Sequence, residues 1–208
     1  LFGTARKGLF QIEAGIQSTY PPTLAAINRK ENVYPVLYNL ERLIALGNVH
    51  VHVDLIAGLP YESYELFRRS FDKVYALHAD ALQLGFLKVL AGTPLAAEVE
   101  RHSIVYRQYA PYEVISTAYI SAAELVRLKM IEEMLDIYYN RGGFSYTIAY
   151  LIETGGARFA FTKSWQIFII RAAFSTETAK RMISIAFCWR SRERSRRNGM
   201  SLRSRKSR

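Results

Sequence analysis

Three segments of this chain alternate in a two-residue rhythm, and their spacing leaves few architectures open. FQIEAGIQS (10–18) sets Phe10, Ile12, Ala14 and Ile16 against Gln11, Glu13, Gly15 and Gln17. VHVHVDLIAGLP (49–60) sets Val51, Val53 and Leu55 against His50, His52, Asp54 and Ile56, and ALQLGFLKVL (81–90) sets Leu82, Leu84 and Phe86 against Gln83, Gly85 and Leu87. Successive side chains of a strand leave on opposite faces, so period-two alternation predicts strands. Helical patterns separate them: PPTLAAINR, then VLYNLERLIALG after Pro35, ending at Gly47 where a C-terminal glycine belongs, and ESYELFRRSFDKVYALH with a stripe of Leu66/Phe67, Phe71, Val74 and Leu77/His78. Strand, helix and strand at spacings of roughly 30 to 40 residues make β-helix-β crossovers, the unit of a parallel sheet or barrel.

Parallel strands are normally covered on both faces. Here each strand has one apolar face to meet helices and another that carries Glu13, Gln17, Asp54 and Gln83. Buried carboxylates and amides are costly unless partnered. A barrel lumen or cleft holding a polar ligand accounts for them; so does a set of side chains that bond only one another. Asp54 lies near the C-terminal end of its strand, which runs into the turn Gly58-Leu59-Pro60. Ligands of α/β folds sit at that end.

Beyond Thr93-Pro94 the pattern turns helical. In SAAELVRLKMIEEMLDIYYN, Ser121 is the expected N-cap and Glu124 completes a capping box, Leu125, Leu128, Ile131 and Leu135 form the apolar stripe, and Asn140, Gly142 and Gly143 stop the helix. The division expected is an α/β part over 1–95, a smaller helical domain over 96–156 and a basic tail over 157–208.

FQIEAGIQS followed by VHVDLIAGLPYESYELFRRSF resembles the fourth and fifth strands of the radical S-adenosylmethionine (SAM) enzymes, whose usual forms are E-x-G-x-Q-S and D-x-I-x-G-L-P. LQLGFLKVLAGTPL and YAPYEVISTAYISAAELVRLKMIEEMLDIYYN are similar to a bacterial subgroup that carries an N-terminal cobalamin-binding domain and a C-terminal helical domain. The likeness runs over residues 8–153. It implies an α/β fold that is the C-terminal half of a partial (β/α)6 TIM-like barrel, fourth to sixth strands, followed by a small helical domain. It also implies roles. Gln17 and Asp54 would hydrogen-bond the ribose or amino acid moiety of SAM, Glu13 would face the lumen near the ligand, and the backbone around Ile56, Gly58, Leu59 and Pro60 would pack on the adenine. Carboxylates suit such a ligand, because they accept bonds from ribose hydroxyls and from an ammonium group.

The family's CxxxCxxC, which holds a four-iron four-sulfur cluster through three thiolates, is missing, and Cys188 is the sole cysteine. The resemblance therefore implies an inactive C-terminal piece of an enzyme whose intact parent uses SAM, the cluster and, in that subgroup, cobalamin, on a substrate these residues do not identify. A half barrel would leave the outer edge of FQIEAGIQS exposed and prone to aggregate.

Two rival readings remain. His50, His52 and Asp54 form an H-x-H-x-D array of the kind a barrel-type metal hydrolase uses. His78 and His102 lie elsewhere, however, and His50 begins its strand, so ordinary barrel-lining histidines are favoured. The second rival is nucleic-acid binding. The formal charge of +10 resides wholly in the tail: residues 1–156 hold 14 Lys+Arg against 16 Asp+Glu, and residues 157–208 hold 14 against 2. An Arg/Ser-rich end of this kind binds RNA or DNA phosphates non-specifically. Out-of-frame translation beginning near residues 155–162 fits the abrupt change in composition better. Permitted codons from Thr162 onward, read from their third base, can yield an acidic, amphipathic continuation, and the unique codons of Trp165, Met182, Trp189 and Met200 allow it. The arginine-rich end is then expected to be disordered. No apolar run reaches the roughly 18 to 20 residues of a membrane helix, the opening LFGTARKGLF lacks a signal peptide's apolar core, and one cysteine fits a reducing compartment. A soluble, cytoplasmic protein is expected.

Overall fold

The alternating segments fold as their periodicity requires. β1 (Gln11–Gln17), β2 (His50–Ala57) and β3 (Ala81–Phe86) form a sheet in the order β1-β2-β3, with both pairs parallel. The computed structural model describes residues 2–29 and 32–141. Three helices make the crossovers: α1 (Pro21–Ala26) and α2 (Val33–Ala45) join β1 to β2, and α3 (Tyr64–Tyr75) joins β2 to β3.

Local chemistry sets the helix ends. α2 starts before Pro35, earlier than the pattern alone suggests, because the Asn32 side chain accepts the Tyr34 N–H at 3.0 Å. Pro35 then falls in the first turn, where its missing N–H leaves no bond unmade. Ser63 caps α3, and the helix turns Phe67, Phe71 and Val74 into the same core as Val51, Val53 and Leu55 of β2. All six side chains are buried. Each contributes roughly 1.5–3 kcal/mol relative to exposure, and the central strand is thereby fixed in register.

The edges of the sheet are treated differently. At β3 the Asn140 carboxamide imitates a neighbouring strand: it accepts the Leu82 N–H at 3.0 Å and donates to the Leu82 carbonyl at 3.1 Å. The Tyr139 hydroxyl donates to the Ala79 carbonyl beside it at 2.6 Å. Among the described residues β1 is the opposite edge, and there Arg29 donates to the Gly15 carbonyl at 2.6 Å.

The second part is less helical than expected. α4 is only Pro94–Ala97, and a short antiparallel hairpin follows, β4 (Val105–Tyr106) with β5 (Val114–Ser116). Its β-branched residues Val105, Val114 and Ile115 flank a turn containing Pro111, which opposes a continuous helix. α5 (Ala122–Met134) obeys the sequence reading: Ser121 and Glu124 make the capping box, and Leu125, Leu128, Ile131 and Leu135 are buried. Lys129 of α5 pairs with Glu113 and lies 4.3 Å above the Phe86 ring at the end of β3, fastening helix to sheet. No helix among the described residues is long and apolar enough to cross a membrane. The basic tail, its frameshift reading and the last residues of the expected helical domain lie outside the described residues.

Candidate functional site

Strand register assembles the polar face. Glu13 pairs with His52, Gly15 with Asp54, and Asp54 with Gln83. Partners in a parallel ladder point to the same side, so these groups share one surface. His52 Nε2 stands 3.3 Å from Asp54 Oδ1. Glu13 and Gln83 are exposed, while the Asp54 side chain is only 18% exposed. Burial raises the Asp54 carboxyl above the ordinary aspartate range; His52 pulls it back down, and the Glu13 carboxylate beside it pushes it up again.

Gln17 reaches this surface by an irregular route. The ladder slips between Gly15 and Gln17, which face Asp54 and Leu55 in turn, and Gln17 takes a φ of +67°. Its side chain then folds back, so that Nε2 occupies the space a Cβ on Gly15 would need. Gly15 is the ladder partner of Asp54, so the Gln17 amide lies over the position opposite Asp54. Gln17 Oε1 and Asp54 Oδ1 are both shielded from solvent, and neither meets a donor in hydrogen-bond geometry. An unsatisfied buried acceptor costs about 1–3 kcal/mol; the Asp54 oxygen has the His52 ring nitrogen 3.3 Å away, whereas the Gln17 oxygen has no such partner among the described residues.

The exit of β2 borders the same end. Ile56 is half-buried and pairs with Gly85; Gly58, Leu59 and Pro60 are buried. Gly58 has φ +89°, and a Cβ there would approach Val114 Cγ1 to 2.7 Å, so this turn admits no side chain. Thr23 donates its hydroxyl to the Pro60 carbonyl at 2.8 Å and steadies the segment from below. The residues predicted from sequence, Glu13, Gln17, Asp54, Ile56, Gly58, Leu59 and Pro60, thus fall on one face and the turn that ends it. A cavity of about 230 Å³ lined by Gly15, Leu24, Arg29 and Val36 opens at the β1 edge and does not include Asp54.

The histidine array does not gather ligands. His50 is exposed, 4.0 Å from Asp80, and His78 is exposed beyond α3. Among the described residues no three or more His, Cys, Asp or Glu side chains come together as a metal-holding group.

Two buried clusters escaped the sequence reading. Glu62, 1% exposed, accepts hydroxyls from Ser18 and Ser70. Burial pushes its carboxyl up to about 7, with the two serines partly offsetting the rise. His102, also 1% exposed, is held between the Tyr119 hydroxyl at 3.0 Å on Nδ1 and the Glu98 carboxylate at 3.1 Å on Nε2, with the Tyr61 ring edge-on. One polar position in an apolar stripe, Ser70 among Phe67, Phe71 and Val74, was the available hint of the first. The second depends on a contact between residues 17 apart and left no periodic trace.

Fold and site define a mixed α/β domain with a parallel sheet that carries one polar face. Residues 100–181 match the family described as "Protein of unknown function (DUF4080)", a span that includes α5 and enters the basic tail. The heme chaperone HemW of Mycobacterium tuberculosis, in strains CDC 1551 / Oshkosh and ATCC 25618 / H37Rv, is 35% identical over 101 residues, 48% of this chain and 26% of the relative. The chain thus spans about a quarter of the length of these curated relatives. Solved structures similar to it include coproporphyrinogen III oxidase (HemN) from Escherichia coli, described as a radical SAM enzyme. That match has 18% identity and a TM-score of 0.43 over 60% of this chain and 26% of the other. The Elp3 of the archaeon Methanocaldococcus infernus is similar at 20% identity and a TM-score of 0.43, over 62% and 37% of the two chains.

Proposed function

We propose that this domain is the SAM-binding portion of a radical SAM enzyme, equivalent to the fourth to sixth strands of a partial barrel. The observation that carries the reading is the sheltered Gln17 Oε1, which has no hydrogen-bond donor, on the face that also carries the half-buried Asp54 carboxylate paired with His52. This face suits a ligand rich in donors: ribose hydroxyls and an ammonium group supply what Gln17 Oε1 lacks and can add to the His52 contact on Asp54. Glu13 and Asp54 add negative charge for a sulfonium cation, and the half-buried Ile56 with the backbone of the turn Gly58-Leu59-Pro60 would pack on the adenine. HemW, HemN and Elp3 belong to the radical SAM family, and the 35% identity to HemW supports carrying the family's cofactor to this chain.

When bound and reduced, SAM supplies radical chemistry. The residues of this chain bind and orient it; they do not supply the reductant. A four-iron four-sulfur cluster does not fit these 208 residues, because a single cysteine cannot furnish three thiolates. The cluster ligands of the intact enzyme would therefore come from another segment. Nothing in the described residues calls for cobalamin.

Titration calorimetry of the full chain with S-adenosylhomocysteine tests the reading. Binding is expected, and Asp54→Asn and Gln17→Ala should each weaken it by roughly tenfold, the equivalent of about 1.4 kcal/mol. Absence of binding, or two variants that bind as tightly as the parent, overturns it. Anaerobic reconstitution should yield no stable cluster on this chain.

A further inference from the structure

Gln17 holds a left-handed backbone that a non-glycine residue does not adopt unaided. The neighbouring contacts explain how it persists. Immediately after it, Ser18 donates its hydroxyl to Glu62 Oε1 at 2.5 Å and accepts the Tyr20 N–H at 3.0 Å, while the Ser18 N–H reaches back to the Ile16 carbonyl at 2.8 Å. Ser70 of α3 donates to the same carboxyl oxygen at 3.1 Å and accepts the Thr19 N–H at 3.0 Å. Since the Ser70 proton is committed to Glu62, the Thr19 hydroxyl, 3.1 Å away, is left to donate to Ser70. Ser18, Thr19, Glu62 and Ser70 are all buried. The network joins the end of β1, the turn after β2 and the middle of α3, three segments distant in sequence.

A polar network of this kind is a poor way to gain stability alone. Glu62 Oε2 is buried without a donor, and a half-satisfied network is inferior to apolar packing. Its distinctive product is geometric. We infer that Glu62 is a positioning residue for the ligand face: by holding Ser18 directly and Thr19 through Ser70, it fixes the backbone that lays the Gln17 amide over Gly15, the residue opposite Asp54. The effect on ligand affinity rests on the function proposed above; the effect on Gln17 does not.

Four variants of the full chain test the inference: Ser18→Ala, Glu62→Ala, Glu62→Gln and, as a control for lost packing in α3, Val74→Ala. The readouts are the Gln17 side-chain amide resonances in a ¹⁵N–¹H correlation spectrum, affinity for S-adenosylhomocysteine, and melting temperature. Ser18→Ala and Glu62→Ala are expected to move the Gln17 resonances and to weaken binding by roughly tenfold. Glu62→Gln keeps an accepting oxygen and should retain both. Val74→Ala should lower the melting temperature while leaving Gln17 and affinity unchanged. If Glu62→Ala does not fold, Ser18→Ala decides. Gln17 resonances unmoved by loss of the Ser18 hydroxyl, or moved equally by Val74→Ala, would overturn the inference. A parent protein that binds no S-adenosylhomocysteine refutes the proposed function, and the Gln17 resonances still judge the positioning role.

Discussion

Replacing Glu62 with Gln should make the domain more stable at pH 8 by an amount that disappears in acid. Glu62 is buried with two serine hydroxyls on one oxygen, and its carboxyl rises from 4.5 to about 7 chiefly through lost hydration. Between those two values the unfolded chain ionises at this position while the folded one keeps its proton. A raised folded pKa means that stability is fully present below pH 4.5 and is lost as the pH climbs through 7. The gap of about 2.5 pH units, at about 1.36 kcal/mol each, corresponds to roughly 3 kcal/mol. That is a large share of the roughly 5–15 kcal/mol typical of a domain. Urea unfolding of the full chain and of Glu62→Gln, measured from about pH 4.5 to 8.5, gives the difference directly. Asp54 and Glu132, whose carboxyls are also raised, mainly by burial, are present in both proteins and cancel. The variant's advantage should grow by about 3 kcal/mol across the range and level off above pH 7. A flat difference, or a parent more stable than the variant at pH 8, would mean that the carboxylate is ionised and stabilised in the fold, and the reasoning would fail.

Other perturbations have equally definite outcomes. Gly58→Ala meets both a φ of +89° and the Val114 methyl at 2.7 Å, so it should cost roughly 2–3 kcal/mol in chemical denaturation; adding Val114→Ala should recover only the steric part. Asn140→Ala removes both bonds to Leu82, which should speed hydrogen exchange at the Leu82 amide and reduce stability by about 1–3 kcal/mol. His102→Ala leaves the Tyr119 hydroxyl and the Glu98 carboxylate without their shared partner, for a loss of roughly 2–4 kcal/mol, read as a lowered melting temperature. The full chain should bind RNA with strong salt dependence, and replacing Arg203, Arg205, Lys206 and Arg208 of the tail with Ala should flatten that dependence; an unchanged salt slope would clear the tail of the binding.

What could be read from sequence was whatever a single segment decides by itself. Val51, Val53 and Leu55 against His52 and Asp54 declare their faces because strand periodicity is local, and Ser121 with Glu124 declares a helix start for the same reason. The polar face was legible on that basis alone: three strands, each sorted by its own alternation, placed Glu13, Asp54 and Gln83 together once they paired. The hairpin β4–β5 was not, since strands of two and three residues are too short to alternate. Gln17 lies between these cases. Alternation groups it with Glu13 and Gly15, but its ladder partner is Leu55, and the return of its amide over Gly15 depends on Gly15 having no side chain; a glycine inside a strand is equally compatible with a bend, a close backbone approach or a plain loss of packing. Glu62 shows where local reading ends. It belongs to no periodic segment, and its partners come from 44 residues before it and 8 after. The side chains of the polar face are therefore marked by pattern, whereas the groups that would aim them are set by packing between distant segments. Aiming requires a rigid attachment to the core, and the core is assembled from the whole chain.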